Sequence, residues 1–92
     1  MDYKALYNAA NNVVVAIDSQ PLRYTSADVI SSIKHQMIFI RDNAAAGKNP
    51  SNELPAGTKF TYAILASREL ASPDELALQV LIDEVTAALI KS

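Results

Sequence analysis

The sequence predicts an all-α fold: a compact helical domain, 1–92, with a central helical hairpin, assembled as a homo-oligomer. Three observations predict it. Apolar residues recur at three- and four-residue spacing through most of the chain, the mark of one-sided helices. The two glycines and four prolines fall between those stretches or at their starts. Half of the 92 residues are hydrophobic, whereas a domain of this size buries only about 60–65% of its unfolded surface. Surplus apolar surface on so small a body is most simply covered by other subunits.

Four helices follow in order. Tyr3, Leu6, Ala10, Val13, Val14 and Ile17 form the stripe of the first, and Gln20-Pro21 ends it, because the residue before proline is pushed out of the α region. Val13-Val14-Val15 has the composition of a strand, but no second segment offers a partner. Thr25 is read as the cap of the second helix, with Asp28 near its positive end. Ile30, Ile33, Met37 and Ile40 line one of its faces, while Ile38 and Phe39 add another. A helix apolar on two sides is buried on two sides, centrally or at a subunit interface. Gly47 supplies a left-handed stop. A polar loop, Lys48 to Gly57, leads to a third helix expected to open at Thr58 and to bury Phe60, Ala63, Ile64, Ser67 and Leu70. Ser72-Pro73-Asp74-Glu75 is the sharpest local signal: a serine cap, proline at the first helical position and a glutamate closing a capping box. Leu78, Leu81, Ile82, Val85, Ala88 and Leu89 carry the fourth helix.

Composition narrows the function classes. Without cysteine there are no disulfides, zinc thiolates or cysteine nucleophiles, and the chain suits a reducing cytoplasm. No apolar run approaches membrane-spanning length, so no membrane partner is expected, and the N-terminus does not read as a signal peptide. The net charge is −2, unevenly spread. Residues 20–71 hold six cations against four anions, and residues 72–92 hold four anions against one cation. A clustered basic face of the kind that binds a phosphate backbone is missing, so DNA and RNA are not expected partners.

Catalytic chemistry is equally hard to place. Ser31, His35 and Asp42 have the residue types of a hydrolytic triad, but Asp42 lies seven residues beyond His35 on the same helix, about 10 Å along its axis. That spacing cannot orient an imidazole. One histidine among scattered carboxylates makes no metal site. The expectation is therefore a non-enzymatic protein without a catalytic residue, metal or cofactor. Two clusters are candidates for binding. Tyr3, Lys4, Tyr7 and Asn8 place two aromatics beside a cation and an amide, and Arg23-Tyr24-Thr25 places a guanidinium, a ring and a hydroxyl before a helix N-terminus, where anions settle. Aromatics stack on bases, and Arg or Thr can hold a phosphate.

The segment Leu54-Pro55-Ala56-Gly57-Thr58-Lys59-Phe60-Thr61-Tyr62-Ala63-Ile64-Leu65 resembles the Pro-x-Gly start of the second helix in a phage helical-hairpin domain. That domain occurs in the phage cyclic-nucleotide sponges that oppose CBASS and Thoeris immunity. Pro55, Gly57, Thr61, Ala63 and Ile64 stand at the matching positions, and the helix from Asp28 to Ala46 matches in length and character. The resemblance covers about half the chain. It implies a compact homo-oligomer, a hexamer in the anti-CBASS sponges, that sequesters a cyclic nucleotide in the host cytoplasm without cleaving it. Family pockets resemble an adjacent Tyr-Asn on the first helix, a basic residue and Thr before the second, and a later Arg; here these fall on Tyr7, Asn8, Arg23, Thr25 and Arg68. The alternative expectation is a helical adaptor or inhibitor that binds another protein through the Ile38–Phe39 face.

Overall fold

The computed structural model describes residues 2–19, 26–70 and 72–90. Every regular element among them is helical: α1 Tyr3–Ser19, α2 Ala27–Ala45, a short 3₁₀ turn Pro50–Asn52, α3 Tyr62–Glu69 and α4 Pro73–Ile90. The all-α expectation holds. The radius of gyration is 12.5 Å, close to the roughly 12 Å expected of a compact chain this long.

α1 and α2 pack antiparallel along their lengths. Lys34 reaches back to Asp18 at 2.6 Å, and Arg41 to Asn11 at 3.4 Å, so positions late in one helix meet positions early in the other. These solvent-facing polar pairs add little stability. The hairpin is held by its apolar seam, in which Leu6, Ala10, Val13, Ile33, Met37 and Ile40 are buried. α4 lies against α1 and contributes Leu78, Ile82 and Val85 to the same core. α2 is thus covered by α1 on one side. On another, Phe39 meets Phe60 edge-on, with ring centroids 6.1 Å apart.

The ends of the elements show which local signals decided them. Gly47, at φ 72°, ends α2 as expected. Its N–H donates to the Ala44 carbonyl and that of Lys48 to the Asn43 carbonyl, a Schellman closure. Gly57, at φ 80°, sits third in the turn Pro55–Thr58, closed by a 3.0 Å bond from Thr58 N–H to the Pro55 carbonyl. Only glycine takes that conformation without strain. The capping box also forms: Ser72 N–H donates to the Glu75 carboxylate at 3.1 Å, and Glu75 N–H to Ser72 Oγ at 3.4 Å.

Two expectations are corrected. The cap of α2 is Ser26, whose Oγ accepts from Val29 N–H at 3.3 Å; Thr25 lies outside the described residues. The third helix opens at Tyr62, not Thr58, and its buried face differs from the one expected. Tyr62, Ala66 and Leu70 are buried, Leu65 is half-buried, and Ala63, Ile64 and Ser67 face outward, Ile64 being 54% exposed. The cause lies outside the segment. Gln36 of α2 accepts the N–H groups of Thr61 and Tyr62 through Oε1, at 2.9 Å each, and so fixes where the helix begins. Phe60, ahead of that point, lies outside the helix with its ring between those of Phe39 and Tyr62.

Tyr62 also ties α3 to α4, its hydroxyl 2.9 Å from Thr86 Oγ1. Burial pushes its phenol above the usual range; the Thr86 hydrogen bond opposes this, and the Asp83 charge adds to it. The neutral phenol is therefore favoured in the fold, and the stability it supplies is complete below the unfolded value of about 10 and is lost as pH rises beyond it. Chemical denaturation followed from pH 8 to pH 11 should show this alkaline loss, and Tyr62→Phe should flatten it while lowering stability near pH 8 by about 1 kcal/mol. An unchanged alkaline limb in the variant would assign the loss to other groups.

Candidate functional site

The described residues of the expected pocket, Tyr7, Asn8 and Arg68, occupy different flanks of the bundle. Successive residues on a helix point about 100° apart, and Tyr7 and Asn8 diverge accordingly. Tyr7 lines a shallow groove of about 360 Å³ with Tyr3, Lys4, Ala44 and Ala45, where the start of α1 crosses the last turn of α2. Its lining brings two phenol side chains and an ammonium group together with two alanines. Asn8 lines a second groove, of about 430 Å³, between α1 and α4, together with Asn12, Asp2 and Glu84. Arg68 is exposed on the last turn of α3 and lines neither groove. Arg23 and Thr25 lie outside the described residues.

Distance adds a constraint. Tyr7 is twelve residues before Ser19, the last residue of α1, and so roughly 18 Å from that end of the helix. α2 begins at the same end, since Asp18 meets Lys34. The Tyr7 platform and the N-terminus of α2 thus lie at opposite ends of the hairpin. The carbonyl end of α2, beside Tyr7, carries partial negative charge. Lys4 is the cation available there to hold an anion.

A third groove, of about 510 Å³, was not singled out in the sequence. It runs between α2 and the segment 54–61, walled by Phe39, Phe60, Leu54 and Pro55 and rimmed by His35 and Lys59. The signal that could have found it is the pairing of Phe39 with Phe60 across the loop, which becomes visible only once Gln36 is known to anchor Thr61. His35 is exposed on this rim. Ser31 and Asp42 are also exposed on α2, and Asp42 takes a hydrogen bond from Arg41 Nε at 3.2 Å. Ser31, His35 and Asp42 share no triad geometry. Among the described residues no three His, Asp or Glu side chains gather as metal ligands would, and no helix is long and apolar enough to cross a membrane.

Among the described residues the fold is all-α, with four α-helices. Comparison of the chain with protein-family models, curated proteins and solved structures gives no match.

Proposed function

We propose that this protein sequesters a cyclic di- or oligonucleotide second messenger, as a homo-oligomer and without chemical conversion, and so blunts a host antiphage signalling defence. The observation that carries this reading is the Tyr3–Lys4–Tyr7 platform, with two rings and a cation on one groove, taken together with the Pro55–Leu65 resemblance. Sequestration needs stacking and anion contacts rather than a nucleophile. A nanomolar site requires about 12 kcal/mol, within reach of stacked bases and held phosphates. The Tyr7 platform and the N-terminus of α2 lie at opposite ends of the hairpin within one chain, so this reading calls for a site shared between copies, with the Tyr7 platform of one facing the α2 N-terminus of a neighbour.

Calorimetric titration with cyclic dinucleotides tests this. Tyr7→Ala should remove stacking of about 1–3 kcal/mol, and Arg23→Ala a charge-assisted bond of about 1.5–3 kcal/mol, each roughly ten- to a hundredfold in affinity. Ligand released by heat should be recovered intact. Failure of the wild type to bind any cyclic nucleotide would end this reading. Capture of a protein partner, lost on Ile38→Asp, would favour the adaptor instead, which the half-buried Phe39 on the wall of the third groove supports.

A further inference from the structure

Two uncovered apolar surfaces of this chain complement each other in charge. The first is the outer face of α4. Leu76 and Val80 are one turn apart and 52% and 58% exposed, and exposed Ala87 continues the stripe two turns further on. Asp83 and Glu84, both exposed, flank it on either side. Asp83 accepts from Gln79 at 2.8 Å, and Glu84 borders the groove toward α1. Residues 73–90 contain no Lys or Arg, so every charged side chain on the helix is acidic. The second surface is the groove between α2 and residues 54–61, aromatic within and rimmed by Lys59 and His35.

Neither surface covers the other within a chain. α4 packs on α1 and α3, whereas the groove belongs to α2 and the loop. The two share no residue, so every copy offers both. We infer that the outer face of α4 in one copy docks into the α2–loop groove of a second copy, with Leu76 and Val80 against Phe39 and Phe60 and the flanking acids facing Lys59. Self-pairing of α4 would gather carboxylates from both copies without a cation on either helix, which like-charge repulsion disfavours. Docking of unlike patches is head-to-tail, and it propagates until a ring closes or a filament grows. This rests on the homo-oligomer part of the proposed function and is independent of the nucleotide.

Sedimentation of the full chain, with circular dichroism to confirm folding, tests the docking. Val80→Asp spoils the α4 face, and the pair His35→Glu and Lys59→Glu reverses the groove rim; all three positions are exposed. Each variant alone should be a folded monomer under conditions where the wild type is assembled. Mixed in equal amounts they should form a one-to-one pair, because one keeps an intact groove and the other an intact α4 face. Leu76→Asp serves the same arm as Val80→Asp should the latter not fold. A wild type that is monomeric at all concentrations would overturn both this docking and the homo-oligomer reading. An assembled wild type whose variants still assemble overturns the docking alone. Variants that are monomeric alone and remain so when mixed overturn the head-to-tail arrangement in favour of a symmetric contact.

Discussion

Replacing Ile82 with alanine is expected to cost about 2–5 kcal/mol, because the side chain is fully buried and its loss leaves a cavity the helices can fill only in part. A chain of this size has a total stability of roughly 5–10 kcal/mol. A melting temperature lowered by about 8–40 °C follows, at roughly 4–8 °C per kcal/mol. Val80→Ala, two residues earlier on the same helix, should change the stability of the isolated subunit by no more than about 0.5 kcal/mol. Valine there is 58% exposed, and alanine is the better helix former. The two variants belong in one experiment because α4 is apolar nearly all round. Thermal melts at a concentration below assembly should separate them widely. Comparable losses at both positions would mean that α4 is rotated from the orientation described.

That helix also shows what was legible in the sequence. Where a local signal is self-sufficient, reading and structure agree: the capping box at Ser72–Glu75, the glycine stop at Gly47, and the stripes of α1 and α4. Each depends on groups a few residues apart, so nothing distant can override it. α3 is the opposite case. Its start and phase are set by Gln36, twenty-five residues upstream, and no pattern within Thr58–Leu70 carries that information. The heptad-like spacing of Phe60, Ala63, Ile64 and Ser67 is real, but Phe60 is not in the helix, so the count begins from the wrong residue. The binding residues are limited differently. Composition can point to aromatics and cations, but neighbours such as Tyr7 and Asn8 diverge onto separate grooves, and sequence adjacency does not imply a shared pocket. The paired acids Asp83 and Glu84 gain interest only once Leu76 and Val80 are seen uncovered beside them.

Gln36 should accordingly be the polar residue on which the second half of the chain most depends. α3 has eight residues, too few to persist alone, because the cost of nucleation is recovered only over longer helices. Its leading N–H groups have no partner within the helix, and Thr61 at the cap position makes no side-chain capping bond. Gln36 supplies the cap from another helix. Its Oε1 accepts from Thr61 and Tyr62, and its Nε2 donates to Thr61 Oγ1 at 2.9 Å and to Ser32 Oγ at 3.3 Å. Gln36→Leu keeps the volume and removes every one of these bonds. At about 0.5–1.5 kcal/mol each, with Tyr62 N–H left part-buried, the loss should reach about 2–4 kcal/mol. Gln36→Glu keeps a carboxylate oxygen to accept both N–H bonds, lets the Thr61 hydroxyl turn to donate, and places negative charge at the positive end of α3, so at neutral pH it should stay within about 1 kcal/mol of wild type. Hydrogen exchange distinguishes a lost cap from general loosening. The amides of Thr61 and Tyr62 should lose protection in Gln36→Leu while those of α1 and the middle of α2 keep theirs, and Gln36→Glu should protect both groups. If the glutamate variant exchanges as fast as the leucine variant, the acceptor role is wrong and the donor contacts to Ser32 and Thr61 hold the junction instead. Because the same junction fixes Phe60 against Phe39, Gln36→Leu should also open the groove wall and weaken any assembly that docks there.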